Sequence, residues 1–169
     1  MVTQEKIREL FNYCPDSGIF TWAVSTCNRV KVGDVAGTKT TNGYMQVMVG
    51  GQRYYVHRLI WLYHYKEWPK NQIDHIDGSP DNNRINNLRD VTNEENTRNR
   101  KTPNTNISGV IGVFHRKLDK KWTAQITVND KNVFLGRFHD FFEACCARKS
   151  AELKHGYHPN HGRPNKCKS

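Results

Sequence analysis

The chain has no run of apolar residues near the ~20 needed to cross a bilayer, and no N-terminal apolar stretch of the secretory kind. Its five cysteines, Cys14, Cys27, Cys145, Cys146 and Cys167, form no C-x-x-C pair. That spacing excludes the usual zinc sites, and an odd, scattered set is no disulfide framework. No heptad repeat or large apolar face marks a dimer. These absences lead to the expectation of an intracellular, cytoplasmic monomer, soluble, with no membrane association and no protein partner.

Acidic residues are scarce in one half only. Residues 98–169 carry 15 basic and 5 acidic residues, whereas residues 1–97 carry 11 of each. The whole net charge of +10 therefore lies in the second half. A neutral half joined to a basic half suits a protein that does chemistry with one part and grips a polyanion with the other. At 169 residues the chain is long enough for one ordinary domain or two small ones.

The most informative stretch is 73–96, I-D-H-I-D-G-S-P-D-N-N-R-I-N-N-L-R-D-V-T-N-E-E-N. Asp74 and His75 end a short strand-like run. The turn formers Gly78, Ser79, Pro80, Asp81, Asn82 and Asn83 follow. Asn86 to Val91 reads as a second strand, and Thr92 with Glu95 as a capping box that opens a helix bearing Asn96. Taken singly, such residues are usually turns and surface. As an ordered strand–loop–strand–helix set they make a ββα unit with a defined chemistry. A neutral histidine can take a proton from water near pH 7. A hard cation such as Mg²⁺ takes one or two protein oxygens and leaves the rest to water and phosphate. Neighbouring strand residues face opposite ways, so Asp74 and His75 approach their targets from different sides.

This pattern resembles the HNH endonucleases, in particular the phage and intron-encoded homing type. It is carried by Val56-His57-Arg58-Leu59, Asp74-His75-Ile76-Asp77-Gly78, Asn86 to Thr92, and Asn96. The resemblance implies His75 as general base and Asn87 as the residue orienting it. Asp74 and Asn96 would be ligands of Mg²⁺, with Mn²⁺ or another divalent metal able to substitute. Asn96 stands where many members carry a third histidine.

Around this unit the sequence predicts a helix over 3–13, a strand over 19–24, and a hairpin of 44–49 with 52–56 about Gly50-Gly51. A helix over 57–66 follows, with Arg58 near its start where a phosphate can sit. The basic run Arg98, Arg100, Lys101 ends the 92–96 helix, and a polar linker, 101–108, closes the first domain.

Beyond it, 110–114, 122–128 and 131–138 read as three strands with a turn at Asn129-Asp130. A helix over 140–155 carries a small face of Ala144, Ala147 and Ala151. Ser108 to Val113, Lys121 to Ile126, Val133 to Phe138 and the Ala-rich helix resemble the AP2/ERF DNA-binding domain. That resemblance implies a sheet lying in the DNA major groove. Arg116 matches a DNA-contacting arginine, and Lys117, Lys120 and Lys121 keep the hairpin basic. The chain departs from the pattern at Phe114, where a base-reading arginine is usual. Gln125, Thr127 and Phe134 stand for Glu, Arg and Trp, so no sequence preference carries over.

The expected architecture is α+β. Residues 1–100 form an HNH nuclease domain, with a small β-sheet and a ββα core over 72–100. Residues 109–160 form an AP2-like three-stranded antiparallel sheet with one packed helix, and 161–169 a basic tail. The expected function is metal-dependent cleavage of double-stranded DNA, one strand per active site, in the host cytoplasm if phage-encoded. The alternative is a non-catalytic, sequence-specific DNA-binding regulator.

Overall fold

Residues 2–164 are described by the computed structural model. Cys167 and most of the expected basic tail (residues 165–169) lie outside the described residues. Compactness divides the chain into 1–93 and 94–169.

In the first unit, helix α1 (Gln4–Leu10) is capped by Thr3, whose hydroxyl accepts from Lys6 N at 3.4 Å. The helix stops three residues short of the expected end. Phe11 turns extended and opens strand β1 (Phe11–Cys14), paired antiparallel with β2 (Ile19–Trp22). The Asp16–Gly18 turn makes that hairpin possible, and pairing buries Phe11 fully between Phe20 and Trp22, ring centroids 4.6 and 4.4 Å away. Burying one such side chain stabilises by ~1.5–3 kcal/mol, more than the helix propensity it overrides.

Strands β3 (Thr38–Lys39), β4 (Met45–Val49) and β5 (Gln52–Tyr55) form a second antiparallel sheet. The β4–β5 turn has Gly50 and Gly51 at φ 56° and 79°, the pair of positive values a two-residue hairpin turn demands. Helix α2 (Val56–Tyr65) follows without a linker and buries Val56, Leu59, Ile60 and Leu62 against Phe11, Phe20 and Val47. Strands β6 (Gln72–His75) and β7 (Leu88–Val91) pair antiparallel, and Ile73 and Leu88 join the same core. The expected second strand is shorter than the sequence suggests: Ile85–Asn87 is a 3-10 turn. Helix α3 (Asn93–Arg98) follows in sequence, its residues after Asn93 belonging to the second unit.

The second unit holds the antiparallel sheet β8 (Val113–Arg116), β9 (Lys121–Val128) and β10 (Lys131–Phe138), with β9 central. Asn129 and Asp130, at φ 49° and 59°, form its second turn. Val110–Gly112, expected in β8, is a turn that meets β9 through Gln125 N on Gly112 O at 2.8 Å. Helix α4 (Phe141–Lys154) is capped by Asp140, whose Oδ1 accepts from Glu143 N at 3.0 Å. Ala144 and Ala151 are buried on it, as their size suggested, and Arg148 and Glu152 are buried beside them. Residues 98–102, expected at the end of the first domain and the start of a linker, are hydrogen-bonded to 161–163 within this unit.

Candidate active site

Strand pairing sets Asp74 opposite Arg89 and His75 opposite Leu88. Asp74 and His75 are only 8% and 3% exposed, which such side chains tolerate only with partners. Arg89 Nε and Nη2 both donate to Asp74 Oδ2, at 3.0 and 2.7 Å. Their convergence on one oxygen makes the two carboxylate oxygens unequal. His75 Nε2 lies 3.0 Å from Oδ1 of Asn83. An amide oxygen can only accept, so Nε2 carries a proton, and in the neutral ring the lone pair then belongs to Nδ1.

Aromatic rings frame the imidazole. His57 meets it edge-on at 5.2 Å, Tyr44 lies at 5.8 Å, and Tyr55 stacks on His57 at 5.3 Å. Burial, with the neighbouring His75 and Arg58, pushes His57 down to about 3, so it adds no charge beside His75 at neutral pH. Burial, then the charge of Asp74, pushes the Tyr44 hydroxyl up.

The loop after β6 is closed by Asn87, but not through the histidine. Asn87 Nδ2 donates to Asp77 Oδ1 at 3.0 Å and to Asn82 O at 2.8 Å, while its Oδ1 accepts from Asp77 N at 3.0 Å. Against a burial that pushes it up, hydrogen bonds from Asn82, Ser79 and Asn87 hold the Asp77 carboxyl below its usual range. The 3-10 turn explains the arrangement: it aims Asn87 back into the loop rather than across the strands.

Asn83 has the look of a plain turn former in the sequence and was not among the expected site residues. It is 4% exposed, and its backbone O accepts from the Tyr13 hydroxyl at 2.9 Å. Burial raises that hydroxyl to about 12, so it stays a donor. The β1–β2 turn supports the same segment: Arg84 Nε donates to Asp16 O at 2.6 Å. Gly18, at φ 74°, lies so close that a Cβ would stand 2.6 Å from Arg84 N and 2.7 Å from the carbonyl carbon of Asn83. The signal for Asn83 was a second Asn-Asn doublet, 82–83, inside a loop that must return to β7.

Of the other expected site residues, Asn96 sits half-buried on α3, in the second unit. Arg58 donates to Asn71 O at 3.1 Å. Arg98 pairs with Glu94 at 2.5 Å and lies over the Tyr157 ring at 5.7 Å. Arg100 is exposed and Lys101 half-buried. Arg116 and Lys121 are register partners at the β8–β9 end, with Lys117 and Lys120 exposed between them. Gln125 is half-buried opposite Phe134, and Thr127 is exposed opposite Asn132, to which its hydroxyl donates at 2.9 Å. These β9 positions alternate with Trp122, Ala124 and Ile126, so Lys121, Gln125 and Thr127 share the other face of the sheet.

Among the described residues no three of His, Cys, Asp and Glu cluster as a metal cage. The donors the sequence nominates, the Asp74 carboxylate and the Asn96 amide oxygen, are hard oxygens. That chemistry fits a divalent cation keeping most of its waters, and not a thiolate or imidazole metal.

Residues 54–98, the stretch that contains Asp74, His75, Asn83 and Asn87, match the family model of HNH endonuclease. Protein 3.8 of Escherichia phage T7 is 42% identical over 59 residues, covering 35% of this chain and 49% of that protein. YosQ of Bacillus subtilis (strain 168), named as an SPbeta prophage-derived putative HNH homing endonuclease, is 45% identical over 56 residues, 32% of either chain. The chain thus spans about half the length of the first relative and a third of the second. A solved structure described as DNA binding and cleavage by the HNH homing endonuclease I-HmuI is similar at 21% identity. It covers 95% of this chain and 94% of that one, with a TM-score of 0.39. Among the described residues no helix is long and apolar enough to cross a membrane.

Proposed function

We propose that the chain is a divalent-metal-dependent endonuclease that hydrolyses phosphodiester bonds in double-stranded DNA, with a C-terminal module that places it on its target. The carrying observation is the buried His75, held by Asn83 in the tautomer that leaves Nδ1 basic, inside the segment that matches HNH endonucleases. Nδ1 of His75 takes the proton of the attacking water. Asn83 and the aromatic rim fix the ring, and Asn87 holds the loop that carries Asn83. Asp74 and Asn96 are the protein ligands of the cation, Mg²⁺ first, a pairing that rests on the sequence pattern. When bound, the cation would neutralise charge on the phosphate and leaving oxygen. A single ββα unit cuts one strand per visit.

The C-terminal module would read DNA with the face opposite α4, in the manner of AP2/ERF domains. Support comes from its three-stranded sheet with one backing helix, and from Arg116, Lys117, Lys120, Lys121, Gln125 and Thr127 on its hairpin and outer face. Lysines there supply phosphate contacts, with Arg58, Arg98, Arg100 and Lys101 as further contacts nearer the nuclease segment.

One observation favours the alternative, a DNA-binding protein that does not cut: Arg89 already neutralises Asp74 through two bonds. Supercoiled plasmid incubated with and without Mg²⁺ separates the two. Nicked or linear product that EDTA abolishes supports the enzyme. Binding without any product, over a range of Mg²⁺ and Mn²⁺, supports the regulator.

A further inference from the structure

Helix α3 is six residues long, far below the ~12–15 at which an isolated helix becomes even marginal in water. Its last carbonyls therefore need partners: Asn96 O and Thr97 O accept from Asn99 N and Arg100 N, while the C-terminal segment takes Arg98 O and holds the residues that follow the helix. His161 Nδ1 donates to Arg98 O at 3.0 Å. Arg163 Nη1 donates to both Asn99 O, at 2.5 Å, and Asn99 Oδ1, at 2.9 Å. Gly162 N donates to Arg100 O at 2.9 Å, and Thr102 N returns a bond to Arg163 O at 3.0 Å. Asn99, at the centre of these contacts, is 1% exposed, and its own N–H donates to Asn96 O at 3.0 Å.

The segment is anchored in turn to the sheet and its helix. Arg148 on α4 donates through Nη2 to His161 Nε2 at 3.2 Å, through Nη1 to Gln125 O on β9 at 2.7 Å, and through Nε to Glu152 at 2.9 Å. Tyr157 donates its hydroxyl to Thr127 O at 2.6 Å, and its ring faces both Arg98, at 5.7 Å, and Arg148, at 5.2 Å. Arg148, Glu152 and His161 are 2%, 6% and 4% exposed, so these bonds are made out of water. A buried arginine so fully engaged is a rigid mount.

We propose that residues 157–163 are a strap by which the C-terminal module keeps α3 folded, and that Arg163 and His161 are positioning residues for Asn96. The nuclease reading enters only through the role of Asn96. On this account the sheet module has a second duty besides gripping DNA. It completes the terminus of the helix that carries a proposed metal ligand.

The test uses the full chain with Arg163→Met and Arg163→Lys. Hydrogen exchange is followed at the amides of 97–102, with those of β8–β10 as internal control. Metal titration of plasmid nicking is measured alongside. Removing a charged donor to two buried acceptors should speed exchange at 97–102 by on the order of 10–100-fold in Arg163→Met. The sheet amides should keep their protection. The Mg²⁺ concentration for half-maximal nicking should rise, with the rate at saturating metal largely kept. Arg163→Lys, which retains a donor, should restore most of both. Unchanged exchange at 97–102 in Arg163→Met would overturn the strap, and so would equal acceleration across the sheet. If the unmodified protein fails to nick DNA, the nuclease reading falls while the exchange measurement still decides the strap.

Discussion

A histidine whose Nε2 proton is committed to an amide oxygen can act as a base through one nitrogen only. This is why His75→Ala should lower plasmid cleavage by roughly 10²–10⁴-fold while DNA retention in a gel is kept. Undiminished cleavage by a folded variant would remove the mechanism. The partner can be tested separately. Asn83→Leu would remove the acceptor 3.0 Å from Nε2 while keeping a similar side-chain volume. Cleavage should fall while DNA retention in a gel is kept, and undiminished cleavage would show that Asn83 does not hold this ring. Asp74 and His75 were nominated by the ordered strand–loop–strand–helix set, since an acid–histidine pair alone is more often surface. Asn83 was not, because its contact closes a loop 8 residues long, and nothing in the composition of N-N-R says which amide turns inward. Asn87 was nominated as the residue orienting His75, and its side chain bonds Asp77 and Asn82.

At the level of elements, local patterns located the β4–β5 hairpin, α2, the β9–β10 turn and α4, where turn residues and periodicity agree. They failed where pairing outweighed propensity. Phe11 to Tyr13 continue a helical pattern on paper, yet a partner strand a few residues on captures them. Asn86 and Asn87 read as strand, yet fold as a 3-10 turn that shortens β7. The approach of the β1–β2 turn to the loop at Asn83 was invisible, since it sets Gly18 against the 83–84 backbone and bonds side chains to backbone carbonyls. It carries a prediction of its own. Gly18→Ala demands a strained positive φ and pushes a methyl into the 83–84 peptide. The protein should lose about 1–3 kcal/mol in a denaturant titration. Cleavage should fall too, since the displaced segment holds His75. A variant as stable and active as the parent would show that the loop does not lean on this turn.

At the scale of the whole molecule, the uneven charge was plain in the sequence and bears on DNA affinity. Replacing Lys117, Lys120 and Lys121 by Gln should reduce the slope of log affinity against log salt by ~0.9 for every phosphate that is no longer neutralised. An unchanged slope would place the grip elsewhere. What the sequence hid is the strap, because Arg148, Glu152 and His161 are polar residues on faces that pattern reading assigns to solvent. Its histidine predicts an acid response. Burial, opposed by Glu152 and reinforced by Arg148, pushes His161 down to about 4. A depressed value means that its contribution is complete above the ordinary histidine range near 6.5. It is lost as pH falls from there through about 4, by at most on the order of 3 kcal/mol. Thermal unfolding followed between pH 7 and 4 should show this loss in the parent and a smaller one in His161→Gln. Identical pH profiles would dismiss it.

The strap also decides where such a chain can be recombined. A fusion that exchanges the sheet module at residues 101–108 would leave the end of α3 without Gly162 and Arg163, whose bonds span that junction. A crossover between Asn93 and Glu94 severs none of these bonds. The cassette that travels intact begins at Glu94, so a transplanted sheet module would bring its own Asn96 with it. A chimera would then inherit one of the two proposed metal ligands from the donor of its sheet.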